Sequence, residues 1–524
     1  MKKFLETNQR YLFISVILVI VTVLTTFVAP FILQTTNEQK TSLFSLIFLI
    51  VCAMSLSYVF QIALIIYREN FAEKFNQRTF TDLLKKIYHL NFEKYISLES
   101  GNLVTRLFQF VDTNYLFMTT SLFLILKSSI TIMVILLVFL NLSIPVFLIT
   151  FILLPLNLIS YRWINTSLNE RIERMQLKTT DTTKDLISLL NSAEQFKMIK
   201  NFQVVETLVL PSVSSMYKNL ASTNKFAQVT SYTITFVNQL AQNVIFILIS
   251  YLVNQEILQL NNMMVVSILL PLFFTSLSDL TKINVDYRTL AANQRFVDQN
   301  LQASQEDQTG TAIGHITKIG LDQPDIIVGQ GSKHLHLKVE DTFVAGDIVY
   351  IEGPSGSGKS TLIKAILGFY PTNGILINDL PAHTLNYQKI RKNITYLSQT
   401  SMFFSDTLEY NITLGGPLSF SEKEKFENSV LLAPIFKNKS WDSVIVDNGA
   451  NLSGGEKQRL LIARMLLQES DVWILDESTS SIDKDSSDAI FETLLQLGKD
   501  KIILFTSHDK SNAEYANKMI HIGG

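Results

Sequence analysis

Residues 353–361 read Gly353-Pro354-Ser355-Gly356-Ser357-Gly358-Lys359-Ser360-Thr361, between an apolar run, Ile348 to Ile351, and a helix-forming run, Thr361 to Leu367. This is the pattern GxxxxGK[ST] in the strand-then-helix setting that gives it meaning. Glycines there let successive backbone N–H groups turn inward toward phosphate oxygens, and the N-terminus of the following helix adds positive potential. Lys359 is spaced to reach the outer phosphates of a nucleotide, and Ser360 to ligate Mg²⁺. The stretch predicts an α/β nucleotide-binding domain, and strands alternate with helices from Ile316 onward.

Two further segments belong with it. Val472-Trp473-Ile474-Leu475-Asp476-Glu477 is apolar up to its two carboxylates, as a buried parallel strand should be. Asp476 is placed to hold Mg²⁺ through water, and Glu477, one residue past the strand, to orient and polarise an attacking water. Leu452-Ser453-Gly454-Gly455-Glu456-Lys457-Gln458-Arg459 precedes the helical run Leu460 to Gln468. A small hydroxyl and two glycines at a helix start make a second anion-binding end. One nucleotide uses both ends only when they come from different subunits, so the pair of motifs predicts a dimer.

The rest of the chain is of another kind. Apolar residues make up 47% of its 524 residues and charged residues 17%, lean for a soluble protein, in which about 25% is usual. A net charge of −2 leaves no basic field to draw the chain onto nucleic acid, which is not an expected partner. The single cysteine, Cys52, lies in an apolar run and rules out an internal disulfide, a multi-cysteine zinc site and a CxxC redox motif. Six stretches, 11–34, 42–67, 117–140, 142–161, 227–253 and 259–280, meet the apolar length of about 20 residues needed to cross a bilayer. The first is too long for a signal-peptide core and is expected to be a retained span. Arg68, Arg78, Lys85, Lys86, Lys94 and Arg106 fall between the second and third stretches, and Arg162, Arg171, Arg174, Lys178 and Lys184 between the fourth and fifth. By the positive-inside rule both long connections and both termini are cytoplasmic. These connections alternate apolar with charged residues at helical spacing, which predicts helices continuing well past the bilayer. Residues 1–301 are therefore expected to form a six-helix transmembrane domain with long cytoplasmic helical extensions, 302–315 a polar linker, and 316–524 the soluble α/β phosphate-loop ATPase domain.

With these motifs together the chain resembles the ABC superfamily, and LSGGE at 452–456 is similar to its signature motif. The resemblance implies ATP and Mg²⁺ as ligands, with Ser453, Gly454, Gly455 and Glu456 facing the partner's ATP; Glu456 stands where Gln is usual. Gln399, in Tyr396-Leu397-Ser398-Gln399, is similar to the glutamine that contacts Mg²⁺ and the attacking water. Asp483, in Ser480-Ser481-Ile482-Asp483, resembles the D-loop acid that spans the dimer, and His508, after the apolar strand Ile502 to Thr506, matches the switch histidine at the γ-phosphate. The implied catalytic set is Glu477, His508 and Gln399, and the implied Mg²⁺ set Ser360, Gln399 and Asp476. Phe92-Glu93-Lys94 through Gly101 to Arg106 is similar to the first coupling-helix segment of exporter-type members, and Glu194 to Asn201 resembles the second. Asp447-Asn448-Gly449 resembles the exporter X-loop with Asp for Glu. One departure concerns the base: exporters usually stack adenine on an aromatic residue about 25 positions before the phosphate loop, yet His315 to Thr342 contains no Phe, Tyr or Trp.

What the resemblance implies is a half-transporter of the bacterial cytoplasmic membrane that pairs with an identical chain, or alternatively with a distinct second half, and exports a peptide, an amphipathic drug or a lipid. Import by the same fold and a nucleotide-switched sensor or channel are the alternatives; Glu477 and His508 speak against the last. Leader-peptide processing by this chain is not expected, since no peptidase domain is expected before the first span, and neither is the usual C-terminal helical extension after Ile522. In the fifth span Gln228, Tyr232, Thr235, Gln239 and Gln242 recur at helical offsets and share one face. Amides facing lipid would be costly, so the stripe is expected either to bond neighbouring helices or to line a polar substrate path, with Lys127 of the third span a further candidate.

Overall fold

The computed structural model describes residues 9–35, 43–191, 193–329, 332–398, 402–477, 484–507 and 509–523. The chain divides into two compact units, Met1–Leu90 with Leu98–Ser304, and Asn91–Ser97 with Gln305–Gly524.

The first unit is helical. Its elements are α1 (Gln9–Thr26), α2 (Val28–Thr35), α3 (Leu43–Tyr88), α5 (Ser100–Leu116), α6 (Leu122–Leu142), α7 (Ile144–Asn191), α8 (Ala193–Met198), α9 (Phe202–Asn254) and α10 (Leu260–Phe296), with α4 (Phe92–Leu98) between α3 and α5 in the chain. Among the described residues, five of the six apolar stretches coincide with helices long and apolar enough to cross a membrane, and the sixth, 142–161, falls mostly on α7, whose opening part Ile144–Asn157 is apolar. With 46, 48 and 53 residues, α3, α7 and α9 run to about 70–80 Å at 1.5 Å per residue, more than twice the hydrocarbon core. Their charged portions therefore extend beyond it. The first stretch differs from the single span expected: the helix breaks at Phe27, between α1 and α2. Pro30 explains the break, because its ring clashes with the carbonyl four residues earlier, at Thr26, and it donates no hydrogen bond. The core gathers Val19, Val23, Ile135, Phe139, Ile245, Ile249, Leu269 and Phe273, while Phe44, Phe48, Met54 and Val59 of α3 point outward. An apolar outer surface of this kind suits lipid.

The second unit holds two sheets, which include the short strand β6 (Leu380–Pro381), and the short helices α12 (Tyr387–Ile390), α13 (Leu408–Thr413), α14 (Phe420–Glu427) and α15 (Ala433–Phe436) besides those named below. One is parallel, in the order β10 (Lys518–His521), β4 (Ile348–Glu352), β9 (Ile502–Thr506), β8 (Val472–Asp476), β7 (Ile394–Leu397). The other is antiparallel and built around β1 (Lys318–Val328), which pairs with β2 (Lys333–His336), β3 (Glu340–Val344) and β5 (Thr372–Ile377). All five residues of β8 and of β9 are buried, because the parallel sheet is covered on both faces. Strand alternation divides its side chains between two cores. Val349, Ile351, Val472, Ile474, Ile502 and Leu504 pack with Leu362, Ile363 and Ile366 of α11 (Lys359–Ile366) and with Ile319 and Phe343 of the antiparallel sheet. Tyr350, Trp473, Leu475, Ile503 and Phe505 face Leu460 and Ile462 of α16 (Gly454–Leu466) and Ile490 and Leu494 of α17 (Lys484–Leu497). Segment 91–97 is packed within this unit: Phe92 stacks on Phe369 with ring centroids 4.5 Å apart, and Glu93 Oε1 accepts the Gly329 N–H at 2.7 Å.

Candidate nucleotide-binding site

Strand β4 ends and helix α11 begins across the phosphate loop, and the loop's glycines are required by its geometry. Gly356 and Gly358 have φ of 81° and 107°, a region in which a side chain is strained. A Cβ on Gly353 would meet Ile522 O at 2.4 Å and Ser357 Oγ at 2.6 Å. Lys359 Nζ donates to the Gly353 and Pro354 carbonyls at 2.7 and 3.1 Å, so the ammonium is held over the loop. The Ser357 hydroxyl is buried without a hydrogen-bond partner among the described residues. A left-handed glycine backbone, an ammonium and an unspent hydroxyl form a cradle whose chemistry fits a polyphosphate.

The loop is one wall of a cavity of about 740 Å³, which Ser360, Thr361 and Glu477 also line. Glu477 stands one residue past β8 with φ 54°, a conformation costing a non-glycine residue roughly 1–3 kcal/mol. Its backbone N–H is held by Thr506 Oγ1 at 3.1 Å and Thr506 O at 3.3 Å, so the neighbouring strand keeps the turn that presents the carboxylate at the cavity. Asp476 is buried behind it, accepting from Thr506 Oγ1 at 2.7 Å and Tyr396 OH at 3.4 Å. Burial, and then the Asp476 charge, push the Tyr396 phenol above its ordinary value, so it stays a donor to that carboxylate. Gln399, Asp483 and His508 lie outside the described residues.

Sequence reasoning missed a charged group beside the phosphate loop. Glu352, at the end of β4, pairs with His521 Nδ1 at 3.0 Å and Lys510 Nζ at 3.3 Å, and all three line the cavity with Gly523. Parallel pairing of β10 with β4, His521 opposite Glu352, brings them there. No local pattern announces a contact across so long a separation.

The signature segment forms the start of α16. Ser453 is its N-cap, accepting from the Glu456 N–H at 3.2 Å, while Glu456 Oε2 accepts the Ser453 N–H at 2.7 Å. This reciprocal capping box typically adds about 1 kcal/mol to a helix start. Glu456 Oε1 also holds Lys439 Nζ at 2.6 Å. Burial pushes the Glu456 carboxyl up, but Lys439 and the Ser453 amide outweigh it and leave the group below its ordinary value. A glutamine amide would cap equally well yet leave Lys439 without its counter-charge, which accounts for glutamate here. Asp447, Asn448 and Gly449 all have positive φ, and Asn448 Oδ1 accepts the Phe403 N–H at 2.7 Å. Among the described residues, none of 452–459 lines the cavity at the phosphate loop.

In the helical unit, Gln228, Tyr232, Thr235 and Gln239 of α9 are exposed, Tyr232 by 76%, and Gln242 is half-buried. Lys127 is exposed on α6. Gln228 and Tyr232 share a surface hollow with Asn224 and Lys225.

Residues 337–480 match the family model described as ABC transporter. The ATP-dependent lipid A-core flippase of Haemophilus influenzae (strain 86-028NP) is 33% identical over 254 residues, 47% of this chain and 43% of that protein. The sublancin-168-processing and transport ATP-binding protein of Bacillus subtilis (strain 168) is 35% identical over 181 residues, 33% of this chain and 25% of that protein. The matched stretches thus span less than half of these relatives. A solved bacterial Atm1-family ABC exporter with ATP bound superposes with a TM-score of 0.87 over 98% of this chain and 93% of that one, at 18% identity, a likeness of fold. The chain thus has the fold of that exporter over nearly its whole length, and within it residues 337–480 match the ABC transporter family model.

Proposed function

We propose that two of these chains pair into an exporter in which ATP binding and hydrolysis drive alternating access of the helical domains. The observation that carries the reading is the phosphate cradle and the Glu477 carboxylate on one cavity, in a chain whose other half has the exporter fold. Lys359 and the loop amides hold the triphosphate; Ser360 and, through water, Asp476 would hold Mg²⁺, with Gln399. Bound there, the ion neutralises charge developing on the phosphates. Glu477 accepts the proton of the attacking water, and His508 steadies the γ-phosphate. Segment 91–97, stacked through Phe92 on Phe369 just after α11, offers a path by which the phosphate loop and the chain between α3 and α5 respond to one another. The Lys and Arg distribution supports an orientation with both termini on the cytoplasmic side, in keeping with placement in a cytoplasmic membrane.

A lipid A-core flippase and a sublancin-168-processing and transport protein among the relatives support export of an amphipathic or peptide cargo. The α9 stripe supports a cargo with hydrogen-bonding groups, because polar side chains left uncovered within the chain need a partner subunit or a water-filled path rather than lipid. In nanodiscs, ATPase stimulation is to be measured against a panel of peptides, amphipathic drugs and lipids. Gln239→Leu with Gln242→Leu is expected to abolish the stimulation by the active class while basal ATPase and expression stay near normal. If stimulation persists and only yield or pairing falls, the stripe is interhelical glue, worth about 0.6 kcal/mol per contact.

The missing aromatic before the phosphate loop carries its own expectation. With triphosphate contacts dominating, KM for GTP should lie within about tenfold of that for ATP. A steady-state comparison showing a larger preference for ATP would place an adenine-stacking group elsewhere in the site.

A further inference from the structure

Outside the nucleotide cavity, the β1–β2 hairpin carries a second convergence of donor atoms. Antiparallel register sets Asp325 opposite His336 and Ile327 opposite His334. Directly opposed residues share a face and alternate residues of one strand do too, so Asp325, His334 and His336 stand together while Leu335 turns the other way. His336 Nδ1 lies 2.9 Å from Asp325 Oδ1, and His334 Nδ1 lies 3.1 Å from Asp325 Oδ2. The two imidazoles are stacked with centroids 5.9 Å apart and an interplanar angle of 20°. One ligand atom from each residue falls within 4.8 Å of the others, the sole such group of three His, Cys, Asp or Glu among the described residues.

We propose that Asp325, His334 and His336 form a binding site for a divalent transition cation of the Zn²⁺ class, which clips strand β1 to strand β2. Zinc bound to imidazole nitrogen and carboxylate oxygen at about 2.0–2.2 Å in tetrahedral geometry keeps neighbouring ligand atoms about 3.3 Å apart. The carboxylate-to-imidazole distances are already of that size, so only the two nitrogens need draw together. Two imidazoles with one carboxylate select a borderline cation; Mg²⁺, which prefers oxygen ligands in an octahedral shell, does not suit them. The site is therefore separate in chemistry from the Mg²⁺ of the nucleotide cavity. Its side chains are accessible, with His334 49%, His336 73% and Asp325 25% exposed, leaving room for water at the fourth position.

The clip has a mechanical neighbour. Leu335, between the two histidines, lies against the phosphate loop so closely that a Cβ on Gly358 would meet its Cδ2 at 2.7 Å. Tying β2 to β1 fixes the strand that carries this leucine. Metal occupancy would thus stiffen the hairpin at the flank of the phosphate loop.

The test uses the full chain, purified in detergent, freed of any histidine tag and stripped with a chelator, without nucleotide. Zn²⁺ is titrated in competition with a chromophoric chelator, and Co²⁺ is added separately to read its visible bands. One Zn²⁺ per chain is expected, weakened at least about tenfold in His334→Gln with His336→Gln, and the Co²⁺ bands should be lost in the same variant. Binding of a fluorescent ATP analogue by that variant reports that the domain is folded. Should the double variant fail to fold, Asp325→Asn in the same titration decides, and the same weakening is expected. Absence of Zn²⁺ binding by the parent chain, or equal affinity in the folded variants, would overturn the site and leave a plain carboxylate–imidazole cluster.

Discussion

Glu477→Gln is expected to keep nucleotide binding near that of the parent chain and to lower ATP turnover by about 10²–10⁴-fold, the range removed with a positioned general base. The substitution is close to isosteric, and the proposed phosphate contacts come from Gly353 to Thr361, other residues of the cavity lining, so affinity has no reason to fall. Turnover does, because an amide cannot take the proton of the attacking water. The left-handed backbone at Glu477, held by Thr506 through both its hydroxyl and its carbonyl, keeps glutamine in the same place, so a loss cannot be ascribed to displacement. Asp476 cannot substitute: it is buried and accepts from Thr506 and Tyr396. Equilibrium binding of a fluorescent ATP analogue, with phosphate release at saturating ATP, separates the two quantities. Turnover within a few fold of the parent would remove Glu477 from the catalytic role.

Much of this site is legible from residues 348–361 and 472–477 because its physics is local. A buried parallel strand must be apolar throughout, a phosphate cradle must bare its backbone, and both demands write themselves into consecutive residues. The capping box of Ser453 and Glu456 is legible for the same reason. Features that depend on register between distant strands are not. Glu352, Lys510 and His521 meet only because β10 pairs with β4, and Asp325 meets the two histidines only through the β1–β2 register. The long helices follow from their periodicity, but the break at Phe27 does not, since its cause, Pro30, acts one turn back. A π-helical turn at Phe117–Ser121, inside an apolar run of ordinary appearance, has no sequence mark. It places the Ser121 hydroxyl 2.6 Å from Asp286 Oδ2.

Mixing two inactive chains should restore activity, and this tests the pairing on which the proposed mechanism rests. Lys359→Ala removes the ammonium held over the phosphate loop, and Ser453→Arg both breaks the cap of α16 and fills the space before its N-terminus. Each variant alone is expected to hydrolyse ATP at no more than about 1% of the parent rate, since each removes charge stabilisation that the transition state requires. The signature residues do not line the cavity of their own phosphate loop, so in the proposed pair Ser453, Gly454 and Gly455 of the second chain would complete the site. In a mixed pair, one site combines both lesions and the other combines neither. Random pairing of equal amounts makes half the dimers mixed, each with one intact site of two, so about a quarter of the parent activity should return if the sites act independently. Co-expression with two different affinity tags and measurement of phosphate release before and after tandem capture of the mixed pair give both numbers, about a quarter of the parent rate for the mixture and about half for the captured pair. Failure of the captured mixed pair to exceed either parent variant would mean that the two helix ends do not share a nucleotide across the dimer. Recovery in the mixed pair alone is the outcome that a site completed by a second identical chain requires.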